Sequence, residues 1–349
     1  MFKEYTWYPK TKQKPTYEQK IYLIVENWVR SLSVRVGWIN DLNKIIACYG
    51  WLHFYCKNFS ALKTLQGHWD SVRSVRFSPN GDRIVSSSND LTVQIWDVKS
   101  GKSIETLKGH SKWVSDAQFS PDGSTIVSCS GDKTIRLWNL NSERNVKRLE
   151  GHAENVAKVQ FSPDGQTFVS CSWDNTIRLW DAKSGREIKI LRGHSSEVND
   201  VQFSPDGQTV VSCSNDCTIR IWDIKSGNEI CRLTGHSEHI RGAKYSPDGQ
   251  FIVSCSWDKT IRIWDVKLEK MLKILRGHTD TICDVQYSPN GETIVSCSWD
   301  KTVRLWDAKS GQEIQKLNGH SLGVGVVNFS PNGAMIASAS NDKSIRLWG

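Results

Sequence analysis

The 349-residue sequence lacks a long apolar run. Its most apolar stretch, "IIACYGWLHFYC" from Ile45 to Cys56, is 12 residues long, short of the roughly 18 or more that a membrane-spanning helix requires. No membrane span is expected, and the stretch reads as buried core or a docking surface. The opening "MFKEYTWYPKTKQK" stays polar, without the apolar segment that a secretory leader places behind a charged start. An intracellular protein, cytoplasmic or nuclear, is expected. Charge of one sign is also scarce. The net charge is +8, but residues 61–349 carry 36 Lys and Arg against 33 Asp and Glu, while residues 1–60 carry 9 against 4. The excess sits in a short arm, "KTKQKPTYEQK", which is too short and too local to suggest a nucleic-acid-binding surface.

Cysteine is not scarce, but it is not arranged for bridges. Five of the ten cysteines, Cys129, Cys171, Cys213, Cys255 and Cys297, stand 42 residues apart, and the same slot holds Ser87 and Ala339 elsewhere. A slot that accepts Ser, Cys or Ala asks for small volume, so these read as packed, reduced thiols, consistent with a reducing compartment. With 38% hydrophobic and 23% charged residues, the rest has the balance of a soluble globular protein.

Order comes from repetition. Gly-His occurs at 67, 109, 151, 193, 235, 277 and 319, a period of 42 that gives seven copies. Each copy runs from a strand such as "TICDVQY" through the turn "SPDG" or "SPNG" to a second strand such as "TIVSCS". A tight turn ending in Asp leads to a third strand such as "TIRLWD", and "AKSG" turns into a fourth such as "EIKIL". Pro and Gly between β-branched runs specify hairpin turns, so each copy is expected to be a four-stranded antiparallel meander. One meander cannot bury both its faces, and copies must stack. Period 42, the Gly-His opening and the Trp-Asp close resemble the WD40-repeat family. The resemblance covers residues 61–349 and implies an all-β, seven-bladed β-propeller with one blade per repeat. The last copy ends at "SIRLWG", without a fourth strand, while "ALKTLQGH" at 61–68 is a fourth strand without its first three. The two are expected to close the ring together.

Each copy carries a His, a Ser, an Asp and a Trp at fixed offsets. The sets are His68, Ser86, Asp90 and Trp96; His110, Ser128, Asp132 and Trp138; His152, Ser170, Asp174 and Trp180; and His194, Ser212, Asp216 and Trp222. They continue as His236, Ser254, Asp258 and Trp264; His278, Ser296, Asp300 and Trp306; and His320, Ser338, Asp342 and Trp348. Such residue types invite a hydrolase reading, but an active site is needed once and these recur seven times. A Trp N–H, a hydroxyl, an imidazole and a carboxylate can satisfy one another when buried, and the resemblance implies a structural tetrad within each blade. The second Ser of each turn, for example Ser298, is an alternative member. Only His53 and His239 remain outside the sets, so no motif-spaced metal site is expected, and "GVGVV" at 323–327 lacks the glycine pattern of a nucleotide loop. No enzyme activity and no cofactor are expected.

Specificity is sought where the copies differ. Six residues after each histidine stand Ser74, Asp116, Lys158, Asp200, Gly242, Asp284 and Val326, a position that the resemblance places at the mouth of the central channel. Asp116, Asp200 and Asp284 there suggest a site for an Arg or Lys side chain of a partner peptide, histone tails included; the alternative is a solvated channel. Before the tight-turn Asp stand Asn89, Gly131, Trp173, Asn215, Trp257, Trp299 and Asn341. A turn favours Asn or Gly, so Trp173, Trp257 and Trp299, with Trp69 and Trp113 in neighbouring loops, form a candidate protein-binding face. Packing of each ring over a neighbouring blade is the alternative. Residues 1–60 form a separate appendage, with apolar residues at helical spacing from Ile21 to Leu32 and a second short helix expected from Asn40 to Gly50. Taken together, the sequence is expected to encode a non-enzymatic scaffold or adaptor that binds other proteins, in signalling among other processes.

Overall fold

The computed structural model describes residues 58–141 and 146–349; the two helices expected between Ile21 and Gly50 lie outside the described residues. Those residues form an all-β, seven-bladed propeller of seven four-stranded antiparallel sheets, with no helix among them. In the first blade β2 (Val72–Phe77) is innermost, followed outward by β3 (Arg83–Ser88), β4 (Thr92–Asp97) and β5 (Ser103–Lys108). The five blades that follow repeat this order.

Burial is greatest in the second and third strands of each blade and least in the outermost, for a simple reason. The second strands, such as β3, are buried at almost every position because a neighbouring blade covers each face, whereas the outer strands alternate weakly and stay largely exposed. No blade owns a core. Each of the seven apolar clusters joins two adjacent blades: Val85, Val93 and Ile95 of the first meet Val114, Phe119, Ile126 and Trp138 of the second. The buried Trp of every copy is thus covered by the blade before it.

Turn chemistry fixes the hairpins. Gly81 in "SPNG" takes φ +76°, open to glycine and unfavourable to other residues. The residue after each tight-turn Asp is also left-handed, including Leu91 at +70° and Asn175 at +67°.

The ring closes at its ends. β1 (Ala61–Gln66) pairs antiparallel with β28 (Ser344–Trp348), which continues inward through β27 (Ile336–Ser340) to β26 (Val324–Phe329). Two backbone bonds extend the seam, Ser60 N to Gly349 O at 2.9 Å and Gly349 N to Ser60 O at 3.1 Å. Phe59 lies just before the expected start of the ring, yet it is buried in the cluster between the sixth and seventh blades, its backbone held by both polar ends of the Gln315 amide. Leu65 of β1 is buried in the cluster between the seventh and first blades. Truncation to a chain beginning at His68 should therefore expose that cluster and an unpaired strand edge; circular dichroism is expected to show a much lower and broader thermal transition than for the full chain.

Candidate functional site

Two features fall on every blade, an inner relay and a rim, and the structure separates their chemistry. In all seven blades the Trp Nε1–H donates to the Ser Oγ at 2.7–2.9 Å. The same Oγ lies 2.7–2.9 Å from the His Nε2. The His Nδ1 lies 2.7–2.9 Å from an Asp Oδ2. An ionised carboxylate only accepts, so Nδ1 carries a proton and, with a neutral ring, Nε2 accepts from the Ser hydroxyl. Every donor in the chain Trp→Ser→His→Asp then has an acceptor. Of the two serines in each turn, the first makes these bonds. The second is a turn brace: Ser298 donates to Asp280 O at 3.1 Å and accepts from Asp300 N at 3.0 Å.

The structure adds a residue that the sequence reading passed over, the Thr two after each Asp, replaced by Ser344 in the last copy. Thr92 Oγ1 donates to Asp90 Oδ1 at 2.6 Å, and the other copies repeat the bond. Its recurrence at one offset was the available signal. Burial pushes the Asp90 carboxyl up, but hydrogen bonds from His68, Thr92 and the Trp69 amide together outweigh it and bring it down to about 2. Asp342 is held at about 2 against the same burial, and the other five are also held low. Burial lowers the rings of His152, His194, His236, His278 and His320 below 6.5, against the upward pull of their Asp partners. The Gly before each His gives this network its space: a Cβ on Gly109 would lie 2.7 Å from an Arg136 guanidinium nitrogen and 3.3 Å from the Trp138 ring.

The channel wall differs from the sequence expectation, and a β-bulge is the reason. In all seven innermost pairs the register slips by one residue; Val72 opposes Ser88 and Ser74 opposes Ser87, so Arg73 is left over. Bulges of this kind re-aim side chains. All seven bulge residues, Arg73, Ser115, Ala157, Asn199, Arg241, Cys283 and Gly325, line one cavity of about 180 Å³ at the channel mouth. All seven blades therefore reach the mouth through the residue five after the histidine, one before the expected position, and only Lys158 and Val326 of the expected set also line this cavity.

Asp116, Asp200 and Asp284 sit beneath this ring, buried and engaged within the chain. Asp116 accepts from Arg76 Nη2 at 2.9 Å and has Lys158 Nζ at 3.9 Å, while Asp200 pairs with Lys244 at 2.7 Å. Asp200 also accepts from Ala243 N at 3.1 Å, and Asp284 from Val327 N at 3.3 Å, each stapling one blade to the next. Burial pushes the Asp284 carboxyl up, opposed by Lys158 and Lys244. These carboxylates are spent on internal cations and blade-to-blade bonds, so the acidic mouth expected for an Arg or Lys anchor is not what the chain presents. Arg76 and Lys244 stand where other blades have Gln or Asn, and that pattern was the signal to read. At the opposite end, Gln118, Gln160, Gln202 and Gln286 each accept from a backbone N–H of the following blade at 2.7–3.1 Å.

The tryptophans gather on the mouth face. Trp69 is 84% exposed, and Trp173, Trp257 and Trp299 are 43%, 38% and 47% exposed. Trp113, Trp173 and Trp299 line the mouth cavity. Trp257 lies 6.2 Å from Trp299 between ring centroids and stacks on His239 at 4.8 Å. Gly131 has a clear cause: a Cβ there would lie 2.4 Å from the Trp113 ring. Trp69 is not among the cavity-lining residues.

Seven blades with one repeated buried relay, differing from each other around a single rim, define a repeat-built propeller, a class whose members generally act as protein-interaction scaffolds rather than catalysts. The chain belongs to the WD40 family: the profile "WD domain, G-beta repeat" matches residues 59–97, 101–139, 143–181, 185–223, 227–265, 269–307 and 311–349. Among curated relatives, the vegetative incompatibility protein HET-E-1 of Podospora anserina is 46% identical over 65 residues, 19% of this chain and 4% of that protein. Periodic tryptophan protein 2 of Saccharomyces cerevisiae is 47% identical over 36 residues, 10% of this chain and 4% of its own. Nuclear distribution protein nudF of Emericella nidulans is 46% identical over 46 residues, 13% of this chain and 10% of its own. The matches thus span a small part of each relative.

Two outcomes follow from the relay. Asp258→Ala removes the acceptor for His236, Thr260 and two backbone amides, and should lower unfolding stability by about 1–3 kcal/mol in chemical denaturation. The pH dependence has a definite sign. Below 6.5 the unfolded chain protonates histidines that the folded chain keeps neutral, and below 3.8 it protonates carboxylates that the folded chain keeps ionised. Both effects destabilise the fold as pH falls, so calorimetry should show a melting temperature that declines first below 6.5 and again below 3.8; a maximum at pH 5 would contradict the relay.

Proposed function

We propose that the chain is a non-enzymatic scaffold or adaptor that holds other proteins through its tryptophan-bearing face, within intracellular multiprotein complexes. The observation that carries this reading is the exposure of Trp69, Trp173, Trp257 and Trp299 on loops of one face; at the turn position of the last three, Asn stands in three other blades. Large exposed aromatics are costly in solution and are enriched among the residues that dominate binding energy at interfaces.

Membership of the WD40 family supports the role, and the lack of any helix long and apolar enough to cross a membrane among the described residues is compatible with it. The near-identity of the copies resembles repeat-expanded WD40 arrays attached to signalling proteins and favours an adaptor in signalling. Reading of basic peptides is not favoured, because Asp116 and Asp200 already hold Arg76 and Lys244.

Proximity labelling in the native cell tests the proposal by comparing wild type with Trp173→Ala/Trp257→Ala/Trp299→Ala, after circular dichroism has established that the variant folds. A defined set of partners should disappear from the variant. An unchanged partner list would assign the rings to packing and end this reading.

A further inference from the structure

The bulge ring at the mouth carries two arginines and no acid. Arg73 comes from the first blade and Arg241 from the fifth, and both line the cavity of about 180 Å³ together with Lys158 and the rings of Trp113, Trp173 and Trp299. No Asp or Glu lines it. Lys158 is partly answered by Asp116 at 3.9 Å. Arg73 uses its Nε on Asn89 Oδ1 at 2.7 Å, and neither of its terminal nitrogens is bonded among the described residues. The Arg241 side chain has no hydrogen bond or ion pair among the described residues.

We propose that this mouth is a receptor for a carboxylate-bearing segment of a partner protein, with one Asp or Glu side chain taken by Arg73, a second by Arg241, and the intervening residues resting on the tryptophan walls. The inference rests on the protein-binding role proposed above and names the chemistry of the partner at that site.

Three observations support it. Two guanidiniums with no ion pair among the described residues are turned toward one small cavity by a backbone irregularity that every blade shares, and in five blades the same slot holds Ser, Ala, Asn, Cys or Gly. Desolvation and the nearby Arg241 charge both pull the Arg73 guanidinium below its usual range, with Asp70 pulling the other way; a bound anion would relieve that repulsion. Planar forks with free terminal nitrogens match carboxylates in two-point geometry. Aromatic walls beside cations also suit single-stranded nucleic acid, but such sites are grooves that track a backbone. This one is a pocket ringed by all seven innermost strands, open to a side chain or a turn inserted end-on.

The test is selection of a displayed random-peptide library on the full chain, followed by affinity measurement of the enriched peptides on wild type, Arg73→Glu/Arg241→Glu and Arg73→Gln/Arg241→Gln. Both residues lie on the rim, and the Gln variant guards against a folding defect in the reversed one. The expected result is an excess of Asp and Glu in the enriched peptides, affinity about tenfold or more weaker on either variant, and binding that weakens as salt rises. Enrichment of neutral or basic peptides, equal binding to the variants, or an empty selection overturns the inference. Peptides lost on Trp173→Ala/Trp299→Ala but kept on the arginine variants overturn it while leaving the scaffold reading in place. Synthetic versions with phosphoserine replacing Glu decide the source of the anion: a gain of about tenfold or more assigns the pocket to phosphate and overturns the carboxylate claim. Tighter binding of a polyuridine oligonucleotide than of any peptide overturns it in favour of nucleic acid.

Discussion

Everything in this structure depends on the fact that a single blade cannot bury its own two faces. Each of the seven apolar clusters is built from two neighbouring blades, so every blade is both lid and floor, and the arrangement is complete only when the last blade meets the first. Apolar burial supplies the drive, and ring closure supplies the last partner. β1 is the piece that makes the closure possible, since the seventh sheet lacks its outer strand until the chain before Gly67 delivers it. Phe59, two residues upstream of β1, extends the same seam into the neighbouring cluster.

Within that frame the polar relay solves a local problem. Strands packed on both faces leave no water for an indole N–H, a hydroxyl or an imidazole, and an unmade bond there is expensive. Ordering the four groups so that each donates to the next, with the charge terminating on a carboxylate that also receives a Thr hydroxyl and backbone amides, leaves no orphan in the chain. The same logic governs the channel. Asp116 and Asp200 would be costly buried alone, and Arg76 and Lys244 answer them from adjacent blades. Catalytic-looking residue types therefore recur here for reasons of burial.

Much of this was legible in the sequence because it is periodic. A repeat of 42, turn residues at fixed places and an outer strand displaced to the front are one-dimensional facts that fix blade number, strand order and closure. The tetrad members could be named for the same reason. What the sequence hid are relations that need the third dimension. The choice between Ser296 and Ser298 depends on which one reaches both Trp306 and His278. The fate of Asp116 depends on Arg76, 40 residues away and adjacent only once blades are stacked. A one-residue bulge, invisible in the spacing, moved the rim from Ser74 and Asp116 to Arg73 and Ser115. Gly131 looked like an ordinary turn glycine until the Trp113 ring was found lying where its side chain would have been.

The bulge also sets how such a ring can diversify. Each blade contributes one bulge residue to the mouth, while the residues that build the clusters and relays stay nearly constant from copy to copy. Exchanging one blade for another would rewrite one sector of the mouth and keep the apolar junctions with its neighbours, as long as the cross-blade pairs Asp116–Arg76 and Asp200–Lys244 stay together. The rim is thus a circular word of seven letters on a nearly constant frame, and a change of one letter alters what the mouth presents without a change of fold.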